Sequence, residues 1–65
     1  MNTPSKPVHV AELVAARQAA DARRKAYYDA LEENVPEPRL TAHRIRDELA
    51  TAHYRDLVHR FQAGR

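Results

Sequence analysis

Asp56 and His59 stand three residues apart, the i, i+3 spacing that brings a carboxylate and an imidazole to neighbouring positions on a helix. In di-metal carboxylate bundles two helices carry such a carboxylate-x-x-His pair and two more each add a Glu. Glu32 and Glu48 are the further ligands that scheme would enlist. The set is incomplete, because the chain offers a single Asp-x-x-His and no Glu-x-x-His. At 100° per residue the two side chains are also about 60° apart, with His59 turned off the apolar stripe. The plainer reading of His9, His43, His53 and His59 is that they are exposed or touch a partner. No metal and no cofactor is expected. His53 falls mid-stripe and reads as a packed residue whose ring finds one hydrogen bond.

Nucleophilic chemistry has even less to stand on. The sequence has no Cys, and its only Ser is Ser5, near the N-terminus. A thin helical chain also has no concave pocket from which water is excluded. The expectation is a protein that is not an enzyme.

Arginine carries the remaining chemistry. Arg17 and Arg24 occupy positions of core type in the first helical stretch, where they could hold a phosphate, an anionic nucleotide or a partner's acidic side chains. The plainer reading is that their stems cover apolar surface while their heads reach water, Asp56 or Glu48. Arg23-Arg24-Lys25 followed by Tyr27-Tyr28, extended by Arg39, Arg44 and Arg46, has the ingredients of a nucleic-acid surface. Acidic residues intersperse on both helices, however. There is no helix-turn-helix spacing and no Gly-rich phosphate loop. The net charge of +2 is weak for such a role. A small regulator that binds nucleic acid or a nucleotide through Arg17, Arg23, Arg24 and Lys25 is therefore the alternative reading.

These residues must be positioned by helices. The four prolines stand at 4, 7, 36 and 38, and the only Gly is Gly64. Proline lacks an N–H and clashes with the preceding turn, so the breakers divide the chain. The division is a flexible tail over 1–7, helix one over 8–34, a proline-containing turn over 35–40 and helix two over 41–63. Both helical stretches are rich in Ala, Arg, Glu and Leu. Asn34 is a candidate left-handed C-cap. Thr41 is the expected N-cap of helix two, with Leu40 and Ile45 forming a hydrophobic staple; the competing start is one turn earlier, at Pro38. So short a linker gives an all-α, antiparallel two-helix hairpin of coiled-coil type, a single domain.

On helix one Val10, Leu13, Arg17, Ala20, Arg24, Tyr27 and Leu31 repeat at 3-4 spacing, the heptad seam of a coiled coil. Val14, Asp21 and Tyr28 flank it. On helix two Ile45, Leu49, His53, Leu57 and Phe61 form a ridge spaced by four, widened by Ala42, Ala50, Ala52, Tyr54 and Val58. Folding about residues 36 and 37 sets Tyr28 against Ile45, Arg24 against Leu49, Ala20 against His53 and Leu13 against Arg60. It also aligns Asp29 with Arg44, Arg17 with Asp56 and Arg24 with Glu48.

In 65 residues without a disulfide, two rods can shield only one side of each other. The expectation is that dimerisation, or docking on a larger protein, completes a four-helix bundle. Leu13, Tyr27, Tyr28, Leu31, Ile45, Leu49, His53, Leu57 and Phe61 are the expected contact residues. The function expected is protein–protein interaction, either as a homo-oligomer or as an adaptor or accessory subunit. No stretch approaches the roughly 20 apolar residues of a membrane span, and residues 1–7 lack the apolar run of a signal peptide, so a cytoplasmic protein is expected.

Overall fold

The computed structural model describes residues 8–63. The tail assigned to 1–7 lies outside them. Among the described residues the regular structure is two helices, α1 over Val10–Glu32 and α2 over Arg39–Ala63, packed against each other and running antiparallel. The molecule measures 47 × 24 × 13 Å. The smallest dimension is close to the diameter of one helix with its side chains, so the hairpin is a single layer.

α1 starts two residues after the expected point. His9 is its N-cap, with extended angles and no side-chain hydrogen bond to the helix, while its carbonyl accepts from the N–H groups of Glu12 and Leu13 at 2.9 and 3.3 Å. Glu12 adds an acid to the first turn, where the helix dipole favours it. The other end closes as a Schellman motif. Asn34 is left-handed, at φ 56°, its N–H donates to the Leu31 carbonyl, and the Val35 N–H donates to that of Ala30 at 3.0 Å. Val35, held out of helical angles by Pro36, leads the chain away.

α2 starts at Arg39, before the expected N-cap Thr41, and the Pro38 carbonyl just ahead of it accepts from the Ala42 N–H at 3.1 Å. Thr41 therefore lies inside the helix and reverses its expected role. Its backbone N–H donates to Oε1 of Glu37 at 2.8 Å, and its hydroxyl, 2.7 Å from both Glu37 oxygens, donates to the same carboxylate. Glu37 caps the helix from outside. The Thr41 hydroxyl, then its N–H, and more weakly the Arg44 charge hold the Glu37 carboxyl below the usual carboxylate range against a small opposing effect of burial.

The two helices meet on faces rotated from the expected ones. On α1 the covered positions include Leu13, Ala16, Ala20, Tyr27 and Ala30, while Val10, Arg17, Arg24 and Leu31 are exposed. On α2 a row of them steps 40, 43, 47, 50, 54, 57, 61, from Leu40 to Phe61 through Asp47, Tyr54 and Leu57, with Thr41, Ala42, Thr51 and Val58 half-buried outside that row. The spacing is that of a heptad seam on both helices. The reason for the rotation is size. Alanine lets two backbones approach closely along their length, and among the described residues Ala16, Ala20 and Ala30 are three of the four buried apolar residues, Leu57 being the fourth. A seam with Arg17, Arg24 and Leu31 inside would hold the rods apart and strand two guanidinium groups. The cost is a thin core, and no side chain among the described residues is fully enclosed.

Candidate functional site

The rotation leaves large apolar side chains outside. Ile45 is 48% exposed and Leu49 66%, on the face of α2 turned roughly 140° from the seam. Half-buried Ala42 and exposed Ala52 share that face, so Ala42, Ile45, Leu49 and Ala52 make a second apolar stripe of 3-4-3 spacing. On α1 Val10, Val14, Tyr28 and Leu31 are also exposed, on one flank of the seam. Tyr28 leans on its half-buried neighbour Tyr27, with ring centroids 5.8 Å apart.

Of the expected contact residues, the hairpin itself takes Leu13, Tyr27, Leu57 and Phe61 into or beside its seam. It leaves Tyr28, Leu31, Ile45, Leu49 and His53 outside. His53 is not the packed mid-stripe residue expected. It is exposed, and lines the rim of an open groove of about 490 Å³ together with Glu12 and Arg60, over a floor of Ala15, Ala16, Ala19 and Leu57.

The charges follow helix geometry more than the expected cross-helix alignment. Asp29 pairs with Lys25 at 3.6 Å, Glu48 with Arg44 at 3.9 Å and Asp56 with Arg60 at 3.4 Å, all i, i+4 within one helix. Those partners meet without any demand on how closely the helices approach. The expected pairings of Asp29 with Arg44 and of Arg17 with Asp56 are not among the ion pairs formed. Arg24 does cross the seam, to Asp47 instead of Glu48, with its Nε 3.5 Å from Oδ1 and its Nη2 3.5 Å from the Thr51 hydroxyl. The Asp47 side chain is 14% exposed. Its Oδ1 is enclosed and has no hydrogen-bond partner among the described residues, so the guanidinium acts on it as a charge.

The four cationic residues singled out by sequence do not form one patch. Arg17 and Arg24 line one shallow pocket of about 220 Å³ with Asp21, Thr51, Tyr54 and Arg55. Arg23 and Lys25, one residue either side of Arg24, point about 100° away in opposite directions, and Lys25 is held by Asp29. Arg55 was missed by sequence reasoning, since only the register of the hairpin brings it beside Arg17 and Arg24. Among the described residues no three His, Asp or Glu side chains gather as a metal site would require, and no helix is long and apolar enough to cross a membrane. Comparisons of the chain with known protein families, with curated proteins and with solved structures find no match.

Proposed function

We propose that this chain is a non-enzymatic helical-hairpin interaction module that self-associates or serves as a small adaptor or accessory subunit of a larger assembly. One observation carries the reading. Among the described residues a single-layer hairpin buries four apolar residues, while Leu49 and Tyr28 stay more than half exposed and Ile45 and Leu31 nearly half. Apolar surface removed from water is the main favourable contribution to both folding and association, so a partner helix on that surface adds what the hairpin lacks. Packing against a second hairpin, or against a helix of a larger protein, is the simplest way to cover part of it.

The alternative, an anionic ligand such as a nucleotide or nucleic acid, draws its support from the pocket where Arg17, Arg24 and Arg55 converge. Arg24 is already engaged by Asp47, and Asp21 lines the same pocket, which favours the first reading. Sedimentation of the chain with and without added salt separates the two. Apolar association persists or strengthens in high salt and is lost in Leu49→Asp. Phosphate-driven binding of a nucleic acid falls steeply with salt and is lost in Arg17→Glu, with Leu49→Asp unaffected.

A further inference from the structure

We infer that a second copy of this chain covers the outer face of α2, with the two α2 helices antiparallel about a twofold axis near residue 47. The inference rests on the interaction-module reading and deepens it by naming the partner and the face. Ala42, Ile45, Leu49 and Ala52 run small-large-large-small and read the same in both directions. A twofold contact uses one patch twice and needs that self-complementarity. Antiparallel pairing about position 47 lays Ile45 on Leu49 of the second copy and Ala42 on its Ala52. Two layers of large side chains are then closed at each end by a layer of small ones.

Charge selects the direction. The next position along the stripe is Asp56. In the antiparallel pair it falls opposite Pro38 and beside Arg39 of the second copy, an opposite charge added to the Arg60 it already holds at 3.4 Å within its own chain, and the twofold repeats the contact. A parallel pair would set Asp56 on its own copy within the seam and bring Arg55 beside Arg60 on the rim, like charges at both places. Sliding the antiparallel pair by one heptad would set Ile45 against Asp56 and Ala42 against His59, giving up the Ile45–Leu49 layers. The chosen register places Arg46 near its own copy and Glu48 near its own copy on the two rims. These are solvent-exposed charges, and Glu48 already has Arg44 at 3.9 Å. Exposed like-charge contacts of this kind cost less than burying two Ile–Leu layers gains.

The chain has no cysteine, so an introduced thiol is its only one. Ala42→Cys and Ala52→Cys proteins are purified separately, checked for native helicity, mixed and oxidised mildly. The expected result is a disulfide dimer that joins the two variants and forms little with either alone. An Ile45→Cys and Leu49→Cys mixture behaves the same way and serves if the first pair folds poorly. Efficient self-cross-linking of Ala42→Cys alone would show a parallel pair and overturn the inference. A dimer by light scattering that cross-links through neither mixture would also overturn it, by placing the second copy on another face, and would leave the interaction-module reading intact. A monomer at every concentration, compact and binding nothing, would remove both.

Discussion

Nε of Arg24 on α1 stands 3.5 Å from Oδ1 of Asp47 on α2, an ion pair that crosses the seam between the two helices of the hairpin. Asp47 occupies a seam position where an apolar residue would contribute more to packing, so its value lies in fixing the register. Arg24→Ala should leave the mostly covered carboxylate uncompensated and destabilise the chain by about 1 kcal/mol, a figure already discounted for the half-exposed guanidinium. Asp47→Leu should be neutral or stabilising, with a less specific helix alignment. Urea unfolding followed by circular dichroism measures both. A loss in Asp47→Leu as large as in Arg24→Ala would show that the pair itself stabilises the fold.

Two leucines on one helix should respond in opposite ways. Leu57, 5% exposed, is the one large side chain buried among the described residues, and Leu57→Ala should destabilise the hairpin by about 2–4 kcal/mol. Leu49, 66% exposed, contributes little within one chain, so Leu49→Ala should change single-chain stability by less than about 0.5 kcal/mol. Its effect should fall on association. Denaturation at low protein concentration reads the first quantity, and sedimentation at high concentration the second.

The start of α2 should be sensitive to acid. Hydrogen bonds from Thr41 hold the Glu37 carboxyl below its usual range, so its ionised form is favoured in the folded chain. A group whose folded pKa is lowered stabilises above its unfolded value, and that stabilisation is lost as pH falls through the folded value. Carbon-detected titration of Glu37 should give a midpoint below that of a free glutamate side chain. Thr41→Val removes the largest of these causes, the hydroxyl, and should move the midpoint up while leaving the backbone bond in place. A midpoint unmoved by that substitution would show that the hydroxyl does not hold the carboxylate in solution.

The breakers and helix formers made much of this fold readable. Pro36, Pro38 and the left-handed Asn34 end one helix and begin the next, and the composition between them fits no other element. Which faces meet was harder to read. Ile45 and Leu49 outrank Ala50 and Tyr54 on any apolar scale, so a search for the oiliest stripe selects the outer face of α2. The hairpin instead brings together the faces that allow the closest approach, and alanines at 16, 20 and 30 decide this. The same preference explains the charges. Arg24 has acids at positions 47 and 48 opposite it, and a rotation by one residue along α2 exchanges Glu48 for Asp47. The approach of Arg55 to Arg17 could not be seen in the sequence, because it depends on that rotation.

The most direct test of the central claim is the melting temperature of the helical signal measured across a wide dilution series of the unmodified chain. If uncovered apolar surface drives association, the folded state gains stability from its partner and the midpoint rises steadily with protein concentration. A sharp, high midpoint identical at every concentration would contradict the account, because it would mean that the two helices of one chain are sufficient by themselves.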